Sequence, residues 1–170
     1  MAHELLPLSG RYWRMLGVRW QSRPFESGAH RTGGRWNPPG QRALYLSAAH
    51  GTAIMEMHQD LIRPGTLVAF DVAAAAIADL GKIDAGIAFC EWRRIFQFEK
   101  AVPPTWRVAE DLVSGGANGA LIPSVQDPSG TNLVLWRWHD AREAEGEGAA
   151  LGLLDPENML GANDGQSQDR

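Results

Sequence analysis

The stretch Gly33–Glu56, GGRWNPPGQRALYLSAAHGTAIME, decides how this chain is read. A glycine-rich turn carries Arg35, Trp36 and Asn37 and closes on Pro38-Pro39-Gly40. Gly33 and Gly34 permit a positive φ or a close approach of backbone to a ligand. Ala43–Leu46 then reads as a short buried strand. Ser47 stands as an N-cap, and residues 48–61 read as a helix with Ile54, Met57 and Leu61 on one face. Glu56 falls in mid-helix, one position before that face. A carboxylate half-buried there requires a partner or a task.

Working outward, Arg11–Leu16 (RYWRML) reads as a strand and residues 22–42 as a long irregular segment. A loop of that length in a compact domain is usually functional or mobile. Pro64-Gly65 ends the helix, and Thr66–Val72 is a second strand. Residues 73–90 are ambiguous, because their alanines favour helix while Asp79, Gly81, Asp84 and Gly86 interrupt it. Trp106–Val113 reads as a helix stopped by Gly115-Gly116. Ala120–Val125 and Asn132–Trp138 read as strands flanking a turn at Asp127–Gly130. Short strands with segregated helices predict an α+β fold with a mixed sheet, not a doubly wound one. From Asp140 onward there are 2 Arg and 8 acidic residues. The expectation is therefore one domain over residues 1–140 and a loosely packed acidic, Gly/Asn-rich tail over 141–170.

Composition bounds the function. The chain has 170 residues, 44% hydrophobic and 21% charged, enough apolar material for one core and too little charge for disorder. The longest apolar run, Leu67–Leu80, is broken by Asp71 and Asp79, so no bilayer-spanning helix is expected. The N-terminal segment has neither a cationic start nor a long apolar run, which argues against secretion. Cys90 is the only cysteine, so no intrachain disulfide or cysteine-based zinc site is expected and a cytoplasmic setting fits. The net charge of −4 hides an asymmetry: Arg11–Arg42 holds 7 Arg and one acid, Glu26. A local arginine cluster in an acidic chain fits a small anionic ligand better than duplex DNA. The alternative is that arginine is simply the favoured cation of this composition.

No P-loop, nucleophile elbow, zinc-protease helix or dinucleotide-binding glycine fingerprint occurs. His50, Glu56 and His58 are too unevenly spaced to share one helix face, so no metal site is expected. The Gly33–Glu56 block instead suits a dinucleotide. Arg35, with Arg14 or Arg31, can pair with a pyrophosphate. Tyr45 can stack on a flat heterocycle. Glu56 can accept from a ribose hydroxyl and stabilise positive charge developing at the anomeric carbon. Each residue has a plainer alternative: Arg35 as a loop brace, Tyr45 as core, Glu56 as a solvated helix residue.

The run G-G-R-W-N, then G-x-x-A-L-Y-L-S, then A-x-x-E on a helix resembles the RES domain, a family made up largely of toxins from bacterial toxin–antitoxin pairs. Arg35 and Glu56 match two of the residues that name the family, and Ser124 in LIPSV is the candidate for the serine. Asn132 in GTNLVLW and Arg14 in RYWRML fit the pattern, and the resemblance covers residues 11–138. It implies an ADP-ribosyltransferase-like fold, with a mixed β core split around an NAD cleft. It further implies cleavage of NAD⁺, with ADP-ribose passing to water, phosphate or a protein acceptor. On that resemblance Arg35 and Arg14 bind phosphate, Tyr45 stacks near nicotinamide, Glu56 orients the ribose, and Ser124 lines the pocket. No metal and no direct nucleic-acid contact are implied. The implied partner is an antitoxin with a helix-turn-helix DNA-binding part, and a homodimer is compatible. Two other readings stay open: an anion-binding module without catalysis, and a structural partner using Trp13, Trp20, Trp136 and Trp138 as interface residues.

Overall fold

A computed structural model of the chain describes residues 3–59 and 61–160. Among these residues seven strands form one mixed sheet: β1 Leu5–Gly17, β2 Leu44–Ser47, β3 Gly65–Asp79, β4 Gly119–Pro123, β5 Thr131–Leu135, β6 Trp138–Asp140 and β7 Ala149–Leu153. Five short helices connect them: α1 Ala29–Thr32, α2 His50–His58, α3 Ala85–Ala88, α4 Trp92–Gln97 and α5 Pro104–Ser114. The α+β class expected from the sequence is the one observed.

The sheet is built around β3. Its alanine run, which taken alone favours helix, is held extended because β3 is paired along both edges. On one edge β1 runs antiparallel to it from Leu5↔Ala78 to Gly17↔Gly65. The register shifts between Leu6 and Leu8, at Pro7, which has no N–H for the ladder. On the other edge lie β7, antiparallel at residues 70–73, and β4, parallel at 77–79. Strands β4, β5 and β2 continue antiparallel from there. The circuit closes between β2 and β1 through a single bridge, Trp13↔Ser47.

Two apolar clusters hold these layers. The first joins alternate β3 residues Val68, Phe70 and Val72 to Leu16, Leu44, Leu46, Leu133, Leu135 and Leu151. The second lies under α5, where Ala109 and Leu112 pack on Trp36, Ile122, Val134 and Trp136. Pro104 opens α5 and Gly115-Gly116 follow it, the usual asymmetry of helix ends. Of the seven tryptophans, Trp36, Trp92, Trp106, Trp136 and Trp138 are buried. Trp136 and Trp138 are therefore core residues and not free interface.

Within the expected tail, the described residues 141–160 include one paired strand. Ala149–Leu153 pairs with β3, and Ala149 and Leu151 are fully buried. Its apolar alternation is short, and the acidic residues before it hide it from a composition-based reading. Residues 161–170 lie outside the described residues. Leu151 fills the first cluster, so Leu151→Ala is expected to cost about 2–5 kcal/mol. Urea unfolding checks this, with an unchanged midpoint contradicting the placement of β7.

Candidate active site

The cleft opens where the sheet fails to close. Beyond Trp13↔Ser47, the continuation of an antiparallel ladder would set Met15 opposite Tyr45, but no such pair forms. Instead a cavity of about 280 Å³ lies between Trp13, Arg14 and Met15 on β1 and Tyr45, Leu46 and Ser47 on β2. Ala53, Glu56 and Met57 of α2 and Asn132 of β5 complete its wall.

Glu56 is the polar centre. Its Oε1 accepts from Ser124 Oγ at 2.5 Å and from Asn132 Nδ2 at 2.7 Å. Ser47 Oγ donates to Asn132 Oδ1 at 2.7 Å, so the amide group turns its N–H toward Glu56. Ser124 is buried just past the end of β4, Asn132 is buried in β5, and Ser47 is buried at the end of β2. Burial of these polar groups is tolerable only because each has a partner. Among the described residues, Oε2 of Glu56 has none. One oxygen is thus anchored and the other is free for a ligand. The sequence expectation of Ser47 as an N-cap is overturned: the helix begins at His50 without a side-chain cap, and Ser47 serves Asn132.

Arg14 supplies the positive charge. It is half-buried, and its Nη1 donates to the Pro24 carbonyl at 2.7 Å. No carboxylate pairs with it among the described residues. Burial lowers its pKa from the ordinary guanidinium range to about 10. It remains cationic at neutral pH.

Arg35 takes the bracing role. Its Nη1 donates to the carbonyls of Cys90 at 2.6 Å and Ala88 at 3.1 Å, tying the irregular segment to the α3–α4 junction. It is not among the residues lining the cleft. Burial lowers its pKa, offset in part by the nearby Glu91 and Glu56 carboxylates. Arg31 is exposed on α1 and does not line the cleft.

Tyr45 contributes ring and hinge together. Its hydroxyl donates to Asn37 Oδ1 at 2.8 Å and accepts from Trp36 N at 2.9 Å. Burial raises its pKa. The hydroxyl is therefore spent on the turn, while the ring lines the cleft. The glycines serve the same turn. Gly33 has φ +76°, and a Cβ on Gly34 would meet the Tyr45 hydroxyl at 2.7 Å and Asn37 Oδ1 at 2.6 Å. The close approach that Gly34 permits is to the protein's own tyrosine. Asn37, fully buried, donates to the carbonyls of Ala29, Pro38 and Gln41 and locks the turn.

The structure thus brings Arg14, Tyr45, Ser124, Asn132 and Glu56 together, leaves Arg35 beside them, and keeps Arg31 apart. Ser47 was legible only as a cap, and its contact spans 85 residues of sequence. No group of three or more His, Cys, Asp or Glu side chains that could hold a metal occurs among the described residues.

A mixed sheet parted over a carboxylate, with a half-buried arginine alongside that no carboxylate pairs among the described residues, defines an α+β protein with a cleft that gathers polar side chains. The RES domain model matches residues 11–151, and the chain belongs to that family. Among solved structures, the M. tuberculosis MbcT-MbcA toxin-antitoxin complex is similar at a TM-score of 0.58 and 19% identity, over 89% of this chain and 84% of the matched one. That likeness is one of fold. No match was found among curated protein sequences.

The unpaired Arg14 yields a test. Its proton is held less tightly folded than unfolded, so its burial opposes folding at all pH below about 10, and that cost is relieved as pH rises above about 10 toward the ordinary guanidinium range. Arg14→Met removes a half-buried charge without a carboxylate partner and keeps the bulk. Its melting temperature at pH 7 is expected to match or exceed that of the parent, while affinity for ADP-ribose by calorimetry falls about tenfold or more. Unchanged affinity would show that Arg14 serves the fold alone.

Proposed function

We propose that this chain is the toxin of a toxin–antitoxin pair and that its cleft cleaves the nicotinamide–ribose bond of NAD⁺. The observation that carries the reading is Glu56: one carboxylate oxygen is anchored by Ser124 and Asn132, the other has no partner among the described residues, and the cleft that it lines holds Arg14. A site built only to bind anions gains nothing from such a carboxylate. Family membership supports the reading, as does the fold shared with a toxin bound to its antitoxin.

The chemistry follows from charge. The nicotinamide nitrogen is already cationic, so the leaving group needs no proton. The N–C1′ bond breaks with its electron pair going to nicotinamide, and positive charge develops on the ribose. Glu56 faces that charge and accepts from a ribose hydroxyl. An acceptor oxygen from water, phosphate or a protein side chain then bonds to C1′ and gives up its proton. Arg14 pairs with the phosphates. Tyr45 offers its ring to the nicotinamide, and Arg35 acts from the rim by bracing the turn on which Tyr45 closes. The cavity is at the small end of ligand sites, roughly 300 Å³ upward. It suits the nicotinamide-ribose half, with the adenosine half in the open mouth. The partner that blocks this mouth is an antitoxin with a helix-turn-helix part, and the working compartment is the cytoplasm. A homodimer remains compatible with this arrangement.

Incubation with NAD⁺ labelled on the adenylate phosphate, alone and with cell lysate, tests the reading. Nicotinamide release with soluble labelled ADP-ribose identifies hydrolysis, its phosphorylated form phosphorolysis, and label on a protein band identifies transfer. Glu56→Gln is expected to lower turnover at least about a thousandfold with an unchanged circular dichroism spectrum. Its expression should no longer arrest growth. A Glu56→Gln protein with parental turnover would remove Glu56 from the chemistry. Tight ADP-ribose binding by the parent without nicotinamide release would favour the anion-binding module instead.

A further inference from the structure

Beyond the groups touching Glu56 lies a second tier of contacts between α2 and the turn joining β4 to β5. Thr52 sits one helical turn before Glu56 on α2, so the two side chains project along the same side of the helix. Thr52 is buried, and its Oγ1 donates to Asp127 Oδ2 at 2.6 Å. Asp127 Oδ1 accepts from the backbone N–H and the hydroxyl of Ser129. The backbone N–H of Asp127 donates to Ser124 Oγ at 3.0 Å. That bond occupies an acceptor site of the Ser124 hydroxyl and leaves its proton for Glu56 Oε1.

The two tiers form one device. Consecutive turns of α2 present Thr52 and Glu56, and the short β4–β5 connection answers with Asp127 and Ser124. The turn can come this close only because residue 130 lacks a side chain. A Cβ on Gly130 would meet both Asp127 Oδ2 and the Thr52 methyl at 2.7 Å. The Thr52 hydrogen bond also holds the Asp127 carboxyl below its ordinary range, aided by Ser129.

We infer that Thr52 and Asp127 are positioning residues: their hydrogen bond latches the β4–β5 turn onto α2 and thereby sets the Ser124 hydroxyl, and through it the Glu56 carboxylate, in the reacting geometry. The inference rests on Glu56 being the reacting carboxylate, as proposed above. Neither Thr52 nor Asp127 is among the residues that line the cavity.

Thr52→Val keeps shape and burial and removes only the hydroxyl, whereas Thr52→Ser retains it. Asp127→Ala breaks the same bond from the other side and keeps the N–H to Ser124. With NAD⁺ as substrate, Thr52→Val is expected to lower kcat roughly 10- to 100-fold with KM nearly unchanged. Thr52→Ser should restore kcat, and Asp127→Ala should add little to Thr52→Val in the double variant. A kcat loss that only follows the folded fraction, or that Thr52→Ser does not restore, would overturn the latch. A second readout needs no turnover. The side-chain NH₂ signals of Asn132, which donates to Glu56, should shift in the NMR spectrum of Thr52→Val and return in Thr52→Ser. Unmoved Asn132 signals in Thr52→Val overturn the latch. Shifted signals in a protein that leaves NAD⁺ intact would uphold the latch and reject the proposed reaction.

Discussion

Strands β1 and β2 share one bridge, Trp13↔Ser47, and then part. Everything distinctive about the molecule follows from that parting. A sheet that closed fully would bury Met15 against Tyr45 and leave no cleft. A sheet that never met would lose the circuit through which β3 supports both halves. One bridge keeps the two halves in register while leaving polar backbone and side chains around an opening. Such an opening has to be lined by groups that find partners or accept water. The lining here does so through side chains: Ser47, Asn132 and Ser124 converge on Glu56.

The same demand for partners explains the Gly33–Asn37 turn. Its backbone and side chains are bonded inward, to Tyr45, Asn37 and the Trp106 indole, whose N–H donates to the Gly34 carbonyl at 2.8 Å. Arg35 extends the turn's grip to the α3–α4 junction. A segment rich in glycine, proline and arginine is thus a rigid frame on one side of the cleft. Arg14 differs. It carries a half-buried charge with one carbonyl for company, and a group of that kind is most favourably placed when an anion arrives.

The α+β class, the strands around Arg11–Leu16, Ala43–Leu46 and Thr66–Val72, and the helices containing Glu56 and Trp106 were legible from pattern, because alternation, turn residues and helix stops act over a few residues. The alanine-rich half of β3 was not legible. Local propensity there points to helix, and pairing along both edges overrides it. The strand at Ala149–Leu153 was hidden for a related reason: five residues within an acidic, glycine-containing stretch carry too little alternation to be read without the edge of β3 beside them.

The chemistry divides along the same line. Residue types and short spacings alone determined that this chain holds an arginine-rich turn, an aromatic strand residue and a mid-helix carboxylate, because those features lie within 24 residues of one another. Only the tertiary structure decided their duties. It turned Arg35 into a brace, spent the Tyr45 hydroxyl on the turn, and placed Arg14 in the cleft. It also drew Ser124 and Asn132 across 68 and 76 residues to hold Glu56. The physical reason is that a hydrogen bond is set by distance and direction in space, and over such separations the order of residues along the chain specifies neither.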